Sequence, residues 1–249
     1  MIRFALIFLL AALASTEARA DSLATDLSDH EIGITSSFAG TNLLLFGTKG
    51  AGWADEDLDV IVVVRGPETP MKVWRKERIA GIWIKSAPVA FDNVPGYYAI
   101  ASNRPLKFVA STEYLRKNNI GPQNLVLVSV EDVDVSAAIE LRRAIIQNRR
   151  EAGLYFEIDD AVTFSGGGLF RTDIHFPANV PVGDYRILIV LLKDGVEVDR
   201  TSRVLTVGKQ GIERQLYSFA YESPALYGLF AIVFAVAAGW AAALIFRTT

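Results

Sequence analysis

The stretch LFRTDIHFPANVPVGDYRILIVLLKDGVEVDRTSRVLTV, residues 169–207, decides the fold class. Leu169 to Phe176 alternates. Thr172, Ile174 and Phe176 fall on one face, with Arg171, Asp173 and His175 on the other, which is the period of a half-buried strand. Tyr185 to Leu192 and Val196 to Val207 flank Asp194-Gly195, a pair suited to a two-residue hairpin turn. The spacing predicts two antiparallel strands with Tyr185, Ile187 and Ile189 on a common face.

Earlier segments extend the pattern. Glu31 to Ser37 and Thr41 to Gly47 are short apolar runs separated by Ala39-Gly40. Leu58 to Arg65 contains Val60-Ile61-Val62-Val63-Val64, a run suited to a strand covered on both faces, and Gly66-Pro67 ends it. Met71 to Arg78 and Ile79 to Lys85 form a further candidate pair, and Pro95-Gly96 opens Tyr97 to Ala101. About eight short strands point to a mainly β, immunoglobulin-like sandwich over residues 21–208. A helical insertion from about 105 to 168 interrupts it. In that insertion Ser111 or Thr112 is placed to cap a short helix ending near Gly121. Asp134 or Ser136 is placed to cap a longer one reaching about Arg150. The longer helix carries Val135, Ala138, Ile139, Leu141, Ile145 and Ile146 at helical spacing. Arg142, Arg143, Arg149 and Arg150 take its other side. Two consecutive domains divided near residue 134 is the alternative organisation.

The two ends of the chain are apolar in different ways. Arg3 precedes the uninterrupted apolar run Phe4 to Ala14, and Ala18-Arg19-Ala20 follows it, the pattern of a cleaved secretory leader over residues 1–20. An uncleaved anchor is the competing reading. Cleavage before Asp21 would move the net charge from −3 to −4. Leu226 to Phe246 has no charged residue, long enough to cross a hydrocarbon core of about 30 Å. The transmembrane helix is placed over 225–246, with 247–249 as a cytoplasmic tail. Between lies a connector, 209–224, where Ile212, Leu216 and Phe219 recur on one helical side. It suits an interfacial helix or an extension of the spanning one, and Pro224 favours a break. Export of the bulk of the chain followed by one stop-transfer helix gives a single-pass bacterial inner-membrane protein with its mass in the periplasm.

Within the span, Ala231, Ala235, Gly239 and Ala243 recur every four residues and make a smooth side. Small residues permit close helix approach in lipid. That side is the expected packing face, toward a second copy or a multispan permease.

Composition limits the chemistry. No cysteine excludes disulfides, thiolate metal sites and cysteine nucleophiles. The charge balance, 25 Lys+Arg against 28 Asp+Glu, gives no footprint for nucleic acid. Asp55-Glu56-Asp57-Leu58-Asp59 has the alternating carboxylates of a calcium loop but lacks its turn glycine, so a solvated loop is expected. Ser165-Gly166-Gly167-Gly168 lacks the Gly-Lys-Ser/Thr of a phosphate loop and reads as a joint. Asp173 and His175 share a strand face near Ser165 in sequence, but a triad needs one compact geometry. His30 and His175 make a poor zinc site. Lys72, Arg75, Lys76 and Arg78 interleave with Trp74 and Trp83. The expectation is a strand pair with tryptophans inward and long cations outward, while anionic lipid headgroups or an acidic partner face are the functional alternative.

Several segments resemble one family. Leu169-Phe170-Arg171, Pro177 to Tyr185, Lys193-Asp194-Gly195, Gly211-Ile212-Glu213-Arg214, Phe219-Ala220, Leu226-Tyr227-Gly228, Gly239-Trp240 and Phe246-Arg247 are similar to the alphaproteobacterial putative transmembrane protein family. Tyr97 to Leu106 and Val63 to Pro67 resemble it as well. The resemblance implies an inner-membrane protein of unknown activity. It also implies an accessory role, because members are often encoded beside sulfite-exporter-type permeases. It carries over no functional residues. The expected function is therefore a membrane-anchored interaction protein without cofactor and without enzymatic activity. The alternatives are an exported hydrolase using carboxylates, or a sandwich that binds carbohydrate or cell wall through exposed aromatics such as Tyr97 and Tyr98.

Overall fold

Asp194 and Gly195 both have positive φ, 51° and 79°. That is the backbone of a tight turn whose twist matches the strands it joins. In the computed structural model, which describes residues 23–50, 57–79, 82–210 and 224–246, this turn links β11 (Gly183–Lys193) to β12 (Val196–Lys209). Lys193 pairs with Val196 and the ladder runs back to Gly183 opposite Val207. The expected hairpin is present, and Tyr185, Ile187 and Ile189 are fully buried together.

On the other side of β11 lies β4 (Asp59–Arg65), antiparallel, with Ile189 opposite Val62. Beyond β4 lies β7 (Tyr98–Ser102), with Ile100 opposite Val63. A strand flanked on both edges and covered on both faces favours apolar side chains at successive positions, which accounts for the uninterrupted Val60–Val64 run. β8 (Tyr155–Ile158) adds parallel to β7. β2 (Glu31–Ile34) lies beside β12, completing the order β2-β12-β11-β4-β7-β8. Thr206 N donates to His30 O, and Gln210 N to Ile34 O, at 3.0 and 2.9 Å, so β2 runs parallel to β12. A second sheet has the order β1-β3-β10-β9, with β1 Ala24–Leu27, β3 Gly40–Thr48, β9 Thr163–Ser165 and β10 Leu169–Pro177. In β10, Phe170, Thr172, Ile174 and Phe176 are buried while Arg171, Asp173 and His175 are exposed, as the alternation requires. A third element is the separate hairpin β5 (Met71–Ile79) and β6 (Ile82–Phe91). The chain is thus mainly β, with twelve strands among the described residues.

The two larger sheets lie face to face. Tyr97 stacks on Phe176 at 5.1 Å between ring centroids and meets Phe156 and Tyr185 edge-on. Such contacts add about 0.5–1.5 kcal/mol each beyond burial of the rings. Each buried tyrosine hydroxyl has a backbone partner: Tyr97 donates to His175 O, Tyr155 to Pro95 O and Tyr185 to Pro181 O. Tyr98 donates to Asn119 O and accepts from Gly121 N. The tyrosines therefore pin loops as well as filling the core.

Residues 105–168 contain helices and strands together. α1 (Leu106–Val109) and α2 (Thr112–Lys117) are short, and α3 (Val135–Glu151) is long. Ser111 Oγ accepts from Tyr114 N at the start of α2, and Asp134 accepts from Ser136 N at the start of α3. These caps satisfy helix donors that have no internal partner. Two expectations are corrected. The insertion is not purely helical, since β8 and β9 lie inside it. The buried stripe of α3 is Ala137, Leu141 and Ile145, whereas Val135 and Ile139 face outward. Apolar spacing alone leaves the rotation of such a stripe open by a residue.

Residues to Ile32 and Ala39–Val207 form one compact unit; Gly33–Phe38 and the chain from Gly208 form another. The second contains α4, Pro224–Phe246. The leader, most of the connector and the tail expected at 1–20, 211–223 and 247–249 lie outside the described residues.

Candidate functional site

α4 is a continuous 23-residue helix without a charged residue, about 35 Å long at the standard rise. Among the described residues, no helix is long and apolar enough to cross a membrane. The side chains that are described face outward, including Phe234 at 72% and Trp240 at 69% exposure. Ala231, Ala235 and Gly239 are exposed on it, and a Cβ added at Gly239 would meet nothing. The side chain of Ala243 lies outside the described ones.

The β5–β6 hairpin carries the basic-aromatic mixture. Lys72 and Trp74 are exposed, whereas Met71 and Val73 are half-buried. Trp74 is 51% exposed, so it does not face inward as expected. An alternating strand buries one side, and here Met71 and Val73 occupy it.

Other motifs resolve into structural roles. Asp59 is buried at 4% exposure and receives a bidentate Arg104 fork, with Arg104 Nε donating at 2.5 Å. Asn103 Nδ2 also donates to Asp59, at 3.1 Å, and Asn103 Oδ1 accepts from Val60 N. The carboxylate that ends the acidic run thus locks the start of β4. The hydrogen bonds that Arg104 donates to Asp59 raise the Arg104 pKa. Asp55 and Glu56 lie outside the described residues. His30 meets Asp26 at 3.2 Å on the surface, and His175 Nδ1 meets Asn42 Oδ1 at 2.8 Å. Ser165 stands opposite Leu169, four strand positions from Asp173, so Ser165, Asp173 and His175 are not brought together. Among the described residues no three His, Asp or Glu side chains converge on a point. Gly166–Gly168 form one turn of 3₁₀ helix leading into β10.

Tyr97 and Tyr98 are fully buried, which corrects their assignment as exposed carbohydrate-binding aromatics. Burial pushes the Tyr98 hydroxyl up to about 12, and burial likewise raises Tyr97, Tyr155 and Tyr185.

One cluster has no forewarning in the sequence. Tyr114 of α2 donates to Glu197 of β12 at 2.5 Å. Arg200 donates to both Glu197 oxygens, at 2.8 and 2.6 Å, and to Asn118 Oδ1 at 2.7 Å. Partial burial and the adjacent carboxylate push Tyr114 up to about 12. Partial burial opposes ionisation of Glu197, but the hydrogen bonds from Arg200 and Tyr114 outweigh it and hold the carboxyl below its usual range. The partners are more than eighty residues apart, so local spacing gives no signal. The cluster braces a short helix against a strand.

The space between the sheets, lined by Val62, Ile100, Phe156 and Ile174, is about 10 Å³, at most one water. A shallow depression of about 210 Å³ lies over Thr25, Phe46 and Leu169. Typical small-molecule sites are about 300–1,000 Å³.

A family model described as "Putative transmembrane protein (Alph_Pro_TM)" matches residues 22–248. No curated protein matches the chain.

Proposed function

The chain belongs to that putative transmembrane protein family, and from this membership we propose that it is a membrane-anchored interaction protein: an exported immunoglobulin-like sandwich, tethered by α4 in a bacterial inner membrane and serving a permease-like partner or a second copy. The observation that carries the anchor is α4, 23 residues without charge whose described apolar side chains lack cover. Water is a poor solvent for such a surface, and lipid a good one. The family match begins at residue 22, next to the Ala18-Arg19-Ala20 of a leader, which supports export.

The immunoglobulin-like reading rests on strand order. β1-β3-β10-β9 corresponds to strands A-B-E-D, and β2-β12-β11-β4-β7 to A′-G-F-C-C′. Tyr185, whose hydroxyl reaches back to Pro181 O, has the geometry of the tyrosine corner at the start of strand F. The β5–β6 hairpin then sits between C and C′, and the helices between C′ and D. Ala231, Ala235, Gly239 and Ala243 are the face offered to the partner helix.

The absence of native cysteine makes the test simple. Ser202→Cys and Thr249→Cys each introduce one thiol. In intact spheroplasts an impermeant maleimide should label Ser202→Cys and spare Thr249→Cys, and the chain should stay in the membrane through alkaline extraction. Labelling of both, or release by alkali, would overturn the anchored topology.

A further inference from the structure

The β5–β6 hairpin belongs to neither large sheet. Its strands pair with each other, and its far end is held by the Phe91–Ser129 bridge, by Val130 N donating to Ala90 O and by Ala90 N donating to Glu131 Oε2. A two-stranded ribbon is marginal in water unless something covers it. The Met71–Val73 side is half-buried, and α3 contacts β5. The other side presents Lys72 and Trp74, and beside the turn Ile82 is 67% exposed.

Charge points to what is missing. In sequence, residues 71–91 carry Lys72, Arg75, Lys76, Arg78 and Lys85 against Glu77, net +4 in a chain whose total is −3. The rest of the chain is therefore −7. Lys76 pairs with Lys85 in the backbone register, so the excess cations of the sequence fall on both strands of one ribbon. An anionic surface complements such an excess. Trp74 and Ile82 call for something else, an apolar layer behind the anions. A bilayer of acidic phospholipid supplies both in order, headgroup charge outside and hydrocarbon beneath, and tryptophan is favoured at that boundary. An acidic protein surface would neutralise the lysines but leave Trp74 and Ile82 in water.

We infer that the β5–β6 hairpin docks on anionic phospholipid headgroups, with its cations among the phosphates and Trp74 at the interface. The inference rests on the tethered reading above, since a tether keeps the bilayer at high effective concentration. Each Lys or Arg near such a surface contributes about 1 kcal/mol, or about fivefold in the docked-to-free ratio.

The test uses the full chain in vesicles, with Trp74→Cys carrying an environment-sensitive fluorophore. In vesicles containing phosphatidylglycerol the emission should shift to shorter wavelength. In phosphatidylcholine alone it should not. Added salt should reverse the shift, because headgroup attraction is screened beyond about 10 Å at 0.1 M. Lys72→Gln with Lys85→Gln should lower the docked-to-free ratio about fivefold per lysine, with circular dichroism unchanged. Equal emission in both lipids would overturn the proposal, as would an equal shift from the same label at Ser202→Cys. A shift that needs another protein and not phosphatidylglycerol would overturn it in favour of an acidic partner. Alkaline extraction of the same vesicles reads the tether separately. A retained chain without the shift sinks the hairpin alone; an extracted chain that still shifts when added to acidic vesicles sinks the tether alone.

Discussion

Val60–Val64 and Leu226–Phe246 are both uninterrupted apolar runs, yet they meet opposite surroundings. The first is a strand whose five side chains are all buried. Its neighbours β11 and β7 satisfy its backbone edges, and residues of the facing sheet cover it. The second is a helix that satisfies its own backbone, with its described large side chains exposed. Apolarity alone does not say which solvent a segment needs; what closes its backbone hydrogen bonds does. A strand must find partners and so ends in a protein core. A long helix needs none, and lipid can be its surroundings.

The largest effect comes from moving one charge between the two runs. Val62→Asp places a carboxylate in a strand covered on both faces. With no cation there, it should cost more than about 5 kcal/mol and abolish folding, read as loss of soluble or membrane-bound chain. Phe234→Asp should leave the two-sheet unit folded while costing about 3 kcal/mol of insertion, read as release on alkaline extraction. Equal damage to folding from both would break the comparison.

Alkaline pH should separate the two regions next. Burial pushes the tyrosine hydroxyls above their ordinary value of about 10, those of buried Tyr98 and half-buried Tyr114 up to about 12. A phenol raised on folding contributes stability that is complete below the unfolded value and is lost as pH rises through the folded one. Stability of the two-sheet unit should thus hold to about pH 10 and fall beyond it, by on the order of 3 kcal/mol from Tyr98 alone by pH 12. Tyrosinate absorbance should rise together with loss of circular dichroism, not before it. Tyr98→Phe should make that limb shallower.

A smaller effect sharpens the strand side. Arg104→Gln leaves the buried Asp59 carboxylate with Asn103 alone and should cost about 2 kcal/mol in denaturant unfolding. Asp59→Asn should cost less, because it leaves Arg104, half exposed, to be hydrated. The reverse order would mean that the pair does not anchor β4.

How far these regions are legible in the sequence follows the range of their interactions. Asp194-Gly195, the alternation of Leu169–Phe176 and the caps Ser111 and Asp134 are short-range signals, and each element forms where they place it. β1, β8 and β9 are three or four residues long and owe their form to neighbouring strands, so no local pattern announces them. The inward turn of Tyr97 and Tyr98 is of the same kind. An aromatic pair after Pro95-Gly96 suits an exposed patch or a core equally until Phe176 and Tyr185 arrive from about eighty residues away. The Asp59–Arg104 and Tyr114–Glu197 pairings are tertiary for the same reason. The candidate surfaces, α4 and the hairpin, are legible as composition, but the outward position of Trp74 required the fold.

The smallest effect tests whether α4 makes a helix contact. Ala231, Ala235, Gly239 and Ala243 fall on one side because residues four apart on a helix nearly eclipse, with a drift of about 40° per step. Between helices in lipid the gain comes from close packing, since lipid tails are as apolar as the side chains they would replace. Gly239→Leu adds a side chain into open space on the isolated helix, so it should leave insertion and the two-sheet unit unchanged. If that side packs on a partner helix, the same leucine holds the backbones apart and should weaken association by about 1 kcal/mol, roughly fivefold. Crosslinking through this helix at matched expression reads the difference. The doubled variant Ala235→Leu with Gly239→Leu should lose more than the single. Val233→Leu, off the small side, should lose nothing. If the doubled variant crosslinks like the wild type, α4 differs from Val60–Val64 in its solvent alone, and its small-residue side is not a packing face.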